Sequence, residues 1–315
     1  MSSKGSRVLG LGHYQPSKVL TNEDLSKIVD TNDEWIQSRV GIKERRIAEK
    51  ESVADMATEA AAKALTDAGL TAADIDLVVV ATCSNIDRVP NTACRVADRL
   101  GIEAPGAFDV NTACSGFSHA LATADHAIRA GASTTALVIG VEKLSDFTDW
   151  TDRSTCVIFG DGAGAAVITG TNDAKPGVGP VVWGSVPSMS DVVRIEATHP
   201  YIAQEGQTVF RWAITTLAPL ARKAAEAAGV AMEDVAAFVG HQANLRIIEG
   251  IAKKLQAPNA IIATDIIESG NTSAASVPLA LSKMVERGEL TSGAPVLLFG
   301  FGGGLTYAGQ IIYVP

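Results

Sequence analysis

Three features of the sequence predict an α/β protein made of two copies of one layered unit. Strand-like runs of Val, Ile and Leu alternate with alanine-rich helical patterns. Those runs are continuous rather than alternating, as in Asp76-Leu-Val-Val-Val-Ala-Thr and Ala136-Leu-Val-Ile-Gly-Val, which is the pattern of strands covered on both faces. Finally, the chain repeats itself. Lys63-Ala-Leu-Thr-Asp-Ala-Gly-Leu-Thr-Ala-Ala-Asp-Ile-Asp-Leu-Val-Val aligns with Lys223-Ala-Ala-Glu-Ala-Ala-Gly-Val-Ala-Met-Glu-Asp-Val-Ala-Ala-Phe-Val, an offset of 229 − 69 = 160 residues. The same offset takes Asn111-Thr112 to Asn271-Thr272, and Leu137 and Gly140 to Leu297 and Gly300. One alanine-rich match is chance, but three separated segments in one register are not. The expected halves are residues 1–172 and 173–315, meeting at Gly170-Thr-Asn-Asp-Ala-Lys-Pro-Gly.

Taken in order, Arg7–Gly12 reads as a first strand, and Thr21 or Asn22 caps a helix to about Val29. Asn32 caps a second short helix that ends near Gly41, and Ser52 opens a long helix to Ala68, stopped by Gly69. A strand over Asp76–Thr82 precedes a helix from about Thr92 to Gly101. Ala107–Val110 leads into a small-residue helix running to about Arg129, followed by strands at Ala136–Val141 and Ala163–Ile168. In the second half, Ala236–Val239 is a short strand before Gly240-His-Gln-Ala-Asn-Leu-Arg and a helix, and Gly270-Asn-Thr-Ser-Ala-Ala-Ser opens another helix.

The bulk numbers narrow the classes of function. The 315 residues are 47% hydrophobic, 19% charged and 5% aromatic, with 29 glycines, a globular composition suited to tight helix–sheet packing. A net charge of −9 with no long run of one sign argues against a nucleic-acid partner. No apolar stretch reaches the roughly 18 residues of a membrane span, and the first residues lack the apolar region of a signal peptide. Cys83, Cys94, Cys114 and Cys156 are scattered without a C-x-x-C, so neither a disulfide framework nor a metal site is expected. The cytoplasm is the expected compartment.

The candidate chemistry lies where the duplication brings segments to the seam between the halves, a usual place for a ligand site. Cys114 falls in the first turn of its helix, where unpaired N–H groups and the helix dipole favour a thiolate. A buried structural cysteine would explain that residue equally well. His241 ends a strand beside the seam and can act as acid, base or hydrogen-bond donor. Asn271 opens a helix, where simple capping is the plain alternative. Phe299-Gly-Phe-Gly-Gly-Gly-Leu allows close backbone approach and can supply N–H groups to an oxyanion. A Cys, a His, an Asn and a glycine turn at one seam form an arrangement for covalent acyl transfer.

With these residues in place, the sequence resembles the β-ketoacyl-acyl-carrier-protein synthase III enzymes, priming condensing enzymes with the thiolase fold. The resemblance rests on Asp33-Glu-Trp-Ile-x-x-Arg-x-Gly-Ile, Thr112-Ala-Cys-Ser-Gly, Phe159-Gly-Asp-Gly-Ala-Gly, His241-Gln-Ala-Asn-Leu-Arg, Gly270-Asn-Thr-Ser-Ala-Ala-Ser and Phe301-Gly-Gly-Gly, and covers nearly the whole chain. It implies a layered α-β-α-β-α body. It also implies that Cys114 takes an acyl group from acyl-CoA, its oxyanion held by the N–H groups of Cys114 and Gly303. His241 and Asn271 would then bind the thioester carbonyl of malonyl-acyl-carrier protein, whose decarboxylation gives an enolate. Elongating synthases place a second His at the Asn271 position. Degradative thiolases carry a second Cys in the final glycine loop, and this chain has none after Cys156.

The resemblance further implies that Trp35 and Arg153 flank the CoA adenine, that Arg39 lies near its phosphates, and that Asn244 and Gly206 line the pantetheine tunnel. Trp35 could equally be a hydrophobic anchor of its helix. Arg211, Arg246, Lys253 and Lys254 would form a basic rim for an acidic carrier protein, although a solvated helix face explains the lysines as well. Val89 would occupy a primer-pocket position donated across a homodimer, its small side chain leaving room for a longer or branched primer. Residues 184–205 are expected to cover that pocket. No cofactor is implied, since acyl-CoA and the malonyl carrier protein are substrates. The alternatives are a starter-unit synthase or acyltransferase of a secondary pathway, and a non-catalytic subunit that only docks a carrier protein.

Overall fold

The structure, a computed structural model, describes residues 3–174 and 177–315. The expected linker Gly170–Gly177 therefore includes two residues, 175 and 176, that lie outside the described residues.

Two five-stranded sheets form the body. The first runs in the order Gly5–Tyr14, Asp161–Thr171, Thr135–Lys143, Leu77–Ala81, Gly106–Val110. The second runs Val182–Gly184, Thr306–Tyr313, Pro295–Gly302, Ala237–Gly240, Ile261–Ile262. In each sheet the last three strands are mutually parallel and the first two are antiparallel to their neighbours. Adding 160 to Leu77–Ala81 and Thr135–Lys143 gives 237–241 and 295–303, matching the strands Ala237–Gly240 and Pro295–Gly302. The repeat read from the sequence is thus a repeat of strand order.

Helices complete five layers. Val53–Ala68 and Thr92–Leu100 cover one face of the first sheet, and Gly206–Ala227 with Leu245–Leu255 cover the far face of the second. Between the sheets lie Gly116–Ala130 and Ser276–Glu286, which touch both. A helix buried on all sides must be apolar and narrow, and Phe117, Ala120, Leu121, Leu279 and Ala280 are buried at 1% exposure or less. Gly164 shows why small residues matter there, because a Cβ on it would lie 2.4 Å from the Leu279 nitrogen of the central helix. The thiolase-like α/β architecture is the observed one.

Helix ends follow local rules. Ser52 and Asp55 form a reciprocal capping box on Val53–Ala68, and Gly69 closes it at φ +65°. The first short helix is capped by Thr21 and stops at Ser26 rather than Val29, because Lys27 and Ile28 already make tighter i→i+3 bonds to Asp24 and Leu25. Asn22 is buried instead, donating to Asp33 and to the Ile42 carbonyl. The aperiodic stretch 184–205 contains a 3-10 segment, Pro187–Val192, and a hairpin of Val193–Glu196 with His199–Gln204.

Candidate active site

The strand Gly106–Val110 delivers the chain to a single 3-10 turn, Ala113–Ser115, and the helix Gly116–Ala130 follows directly. Cys114 therefore sits just ahead of the helix, in a turn whose first residue, Ala113, is held at φ +47°. A non-glycine residue there is strained, and strain of this kind clusters at functional sites. The turn is braced from the other half of the molecule. The Ser115 hydroxyl donates to the Thr112 carbonyl (2.8 Å) and lies 2.7 Å from the Thr306 hydroxyl, which donates to the Gly303 carbonyl (2.9 Å).

The glycine run at the end of Pro295–Gly302 presses against this turn. A Cβ on Gly302 would lie 2.6 Å from the Cβ of Cys114 and 2.8 Å from its Sγ, so backbone replaces side chain where the sulfur needs room. Burial pushes the Cys114 thiol up to about 11. The neighbouring Ser273 hydroxyl pulls it back, the charge of Glu142 pushes it further up, and the N–H groups of Gly303 and of Cys114 itself pull it down. The thiolate expected at a helix start is therefore not the resting form, since desolvation outweighs the N–H groups.

His241 ends the strand Ala237–Gly240, its own N–H donating to the Phe299 carbonyl (2.9 Å). The ring is buried, meets Phe301 edge-on at 5.2 Å, and places Nδ1 2.7 Å from the Ser276 hydroxyl. Burial drives its pKa down to about 3, so the imidazole is neutral at physiological pH. In the tautomer in which Ser276 donates to Nδ1, the ring carries its hydrogen on Nε2 and is a donor. Asn271 is fixed by its backbone, which exchanges hydrogen bonds with Ile158 and Gly160 (2.9 and 3.1 Å). Its amide oxygen accepts from the Ser273 N–H (2.8 Å). The NH2 group has no acceptor among the described residues and is left to donate to a ligand.

Cys114, His241, Asn271, Gly302 and Gly303 all line one cavity of about 660 Å3. That size is within the range of small-molecule and cofactor sites. Val193 and Gln204, from the hairpin in 184–205, close one side of it. Toward the surface it is lined by Trp35, Arg39, Gly206, Arg211, Asn244 and Arg246. Arg153 is not a lining residue. Its guanidinium stacks on Trp35, 4.2 Å from the ring centre, and Arg39 lies 5.9 Å from the same ring. Two planar faces this close leave no slot for an adenine between them, so Arg153 must move if one is to enter. Asn244 caps Leu245–Leu255 by accepting from the Arg246 N–H (2.9 Å) and donates to the Arg39 carbonyl (3.1 Å), which commits both ends of its amide to structure.

Arg211, Arg246, Lys253 and Lys254 are all exposed, but only the two arginines reach the cavity mouth. Arg246 stacks over Phe210 at 5.3 Å, and Lys254 donates to the Ile214 carbonyl (2.7 Å). Val89 is 85% exposed and does not line the cavity within this chain. Sequence reasoning missed Phe210, Phe301, Ser273, Ser276 and Glu142. The available signal was the 160-residue register, which marks Ser273 and Glu142 as the mates of Ala113 and Gly302 (113 + 160 = 273; 142 + 160 = 302).

A nucleophile turn, an imidazole donor and an amide donor at the seam of a duplicated five-layer body define a condensing enzyme of the thiolase fold. Family models bear this out. The model described as 3-oxoacyl-[acyl-carrier-protein] synthase III matches residues 108–187, and its C-terminal counterpart matches residues 225–314. A β-ketoacyl-[acyl-carrier-protein] synthase III of Streptomyces coelicolor is 62% identical over 314 residues, 99% of either chain. One from Streptomyces avermitilis is 63% identical over 313 residues, again 99% of each. Among solved structures, the priming β-ketosynthase of the R1128 polyketide pathway superposes with a TM-score of 0.96 at 41% identity, covering 100% of this chain and 97% of its own. The 3-oxoacyl-[acyl-carrier-protein] synthase III of Aquifex aeolicus gives a TM-score of 0.93 at 43% identity, covering 98% and 100%. The chain belongs to the β-ketoacyl-acyl-carrier-protein synthase III family, the condensing acyltransferases that prime fatty-acid synthesis.

Proposed function

We propose that the enzyme joins an acyl-CoA primer to malonyl-acyl-carrier protein through an acyl-Cys114 intermediate. The observation that carries this reading is the convergence of Cys114, His241, Asn271 and the Gly302-Gly303 backbone on one cavity. The Cys114 sulfur attacks the acyl-CoA thioester, the N–H groups of Cys114 and Gly303 hold the oxyanion, and CoA leaves with the thiol proton. The malonyl thioester then sets its carbonyl oxygen against His241 Nε2–H and the Asn271 NH2. Loss of CO2 leaves an enolate there, which two neutral preorganised donors stabilise. Its carbon attacks the acyl-Cys114 carbonyl, frees the sulfur and forms the β-ketoacyl product. Decarboxylation itself supplies the carbanion, so the balance calls for no cofactor.

Trp35, Arg39, Arg153, Gly206 and Asn244 are the residues we assign to CoA, with Asn244 acting through its helix cap. Arg211, Arg246, Lys253 and Lys254 are assigned to an acidic carrier protein. A homodimer is supported by the edge strand Gly106–Val110, whose outer side has no partner among the described residues. Phe108, Ile86 and Val89 are 37, 70 and 85% exposed, and Val89 would reach a primer pocket from a second copy. The halves 1–172 and 173–315 are supported by the repeat of strand order. No helix among the described residues is long and apolar enough to cross a membrane, and the cytoplasm, where both substrates are made, is the proposed compartment.

The likeness to a priming polyketide synthase favours a second reading, starter selection in a secondary pathway by the same chemistry. Intact-mass spectrometry with a panel of acyl-CoAs, followed by malonyl-acyl-carrier protein, tests both. A mass gain that Cys114→Ala abolishes, then discharge with CO2 release, is expected, and the primer that loads fastest separates the two pathways. Acylation without discharge or CO2 release would replace condensation with transfer to another acceptor. No acylation by any primer would leave a carrier-docking role.

A further inference from the structure

The turn that carries Cys114 has a twin. The 160-residue offset maps Ala113, Cys114 and Ser115 onto Ser273, Ala274 and Ala275 (113 + 160 = 273). Both triplets are single 3-10 turns leading into the central helices, and both begin with a left-handed non-glycine residue, φ +47° at Ala113 and +46° at Ser273. Such a residue costs on the order of 1–2 kcal/mol and persists only where its surroundings hold it.

What holds the twin is a carboxylate. The offset maps Glu142 onto Gly302 (142 + 160 = 302), so the reactive turn faces bare backbone where its twin faces an acid. Glu142 is fully buried. It accepts from the hydroxyls of Ser84 (2.6 Å), Ser273 (3.0 Å) and Thr82 (3.2 Å), from the Cys83 thiol (3.3 Å), and from the N–H groups of Cys83 (3.1 Å) and Ala274 (3.4 Å). No cation faces it. Ala274 N–H is the mate of Cys114 N–H, so Glu142 fills in the twin the position that an oxyanion takes beside Cys114. Three links then lead to the reaction. Glu142 receives the Ser273 hydroxyl, the Ser273 N–H donates to the Asn271 amide oxygen at 2.8 Å, and the Asn271 NH2 is left to meet the substrate.

We propose that Glu142 is a positioning residue for the decarboxylation half of the reaction, holding the Ser273 turn in its left-handed form so that Asn271 presents its NH2 to the malonyl thioester. The inference rests on the role given to Asn271 above. Glu142 also works against the other half. Its charge raises the Cys114 thiol, so neutralising it favours the thiolate. The two half-reactions therefore respond in opposite directions, which a merely structural role would not produce.

The test measures two rates in Glu142→Gln and Ser273→Ala: alkylation of Cys114 by iodoacetamide at pH 8, and CO2 release from a malonyl thioester. Glu142→Gln is expected to alkylate at least as fast as wild type while releasing CO2 roughly tenfold or more slowly, since one preorganised donor is worth about a hundredfold or more and a misaimed one loses part of that. Ser273→Ala, which keeps the N–H, is expected to slow CO2 release by a similar factor and serves if Glu142→Gln does not fold. Its alkylation slows too, because the lost hydroxyl helps to lower the Cys114 thiol. The double variant is expected to cost no more than about twice the larger single loss, because both changes break one chain of contacts. Equal losses in both rates in Glu142→Gln, or unchanged CO2 release in either variant, would overturn the proposal. Asn271→Ala is the control. If it releases CO2 at the wild-type rate, the site reading fails. If it loses CO2 release while Glu142→Gln does not, only the positioning role fails.

Discussion

Acidification distinguishes a neutral hydrogen-bond donor at His241 from a charged one. Burial holds the ring at about 3, against about 6.5 for a solvated imidazole. At pH 5.5 a group titrating at about 3 is protonated in roughly 0.3% of molecules, whereas one at about 6.5 is protonated in about 90%. CO2 release by acylated enzyme at saturating malonyl-acyl-carrier protein should therefore stay flat from pH 8 to 5.5. The same burial makes a stability statement. The folded pKa lies below the unfolded one, so between about 3 and 6.5 the unfolded chain binds the extra proton and stability falls as pH drops. At about 1.36 kcal/mol for each pH unit below 6.5, the loss from this one group is about 2.7 kcal/mol at pH 4.5. Urea unfolding of wild type and His241→Gln at pH 7 and 4.5 reads it as a difference, with every other titrating group cancelling. A rate that rises or falls with a midpoint near 6.5, or an equal acid loss in His241→Gln, would refute the reasoning.

Gly302→Ala puts a methyl within 2.6 Å of the Cys114 Cβ. It should slow Cys114 acylation by about a hundredfold, as a displacement near 1 Å does, with a stability cost of about 1–3 kcal/mol; an acylation rate within twofold of wild type by stopped-flow would contradict the packing. Lys253→Glu, an exposed change outside the cavity, should raise KM for malonyl-acyl-carrier protein by about fivefold, lower its salt dependence, and leave kcat with a pantetheine mimic unchanged. An unaltered KM would move the docking face elsewhere. Phe108→Asp, on the unpaired edge strand, should shift the sedimenting species from dimer to monomer, and an unchanged dimer would place the contact on another surface.

The fold was legible because burial on both faces writes itself as unbroken apolar runs, and because Leu77–Ala81 and Ala237–Gly240 keep their register through the duplication. The meeting of Cys114, His241 and Asn271 in one cavity was legible because each stands where a strand or turn meets the start of a helix. Other features leave no such mark. Within residues 184–205, Val193–Glu196 and His199–Gln204 form a hairpin held by backbone pairing, without an apolar period to announce it. Asn244 lines the cavity as its motif implies, but that its amide also caps a helix and holds the Arg39 carbonyl is visible only in the structure. The Cys114 thiol was misjudged because position in a turn is visible in sequence, while the desolvation that dominates its pKa is not.

Glu142 is the instructive case. By its neighbours it ends a hydrophobic strand and would be expected in solvent, and nothing near it in sequence supplies a partner. Its meaning appears only through the offset that pairs it with Gly302. A second buried anion beside Cys114 would raise its thiol further, in the direction Glu142 already pushes it. One copy pairs a thiol with a glycine, and the other pairs an alanine with a carboxylate that receives the N–H groups an oxyanion would otherwise use. The exchange at 142 and 302 adds to the chemical asymmetry of the halves, beside Cys114 against Ala274 and His241 against Ala81 in the same register.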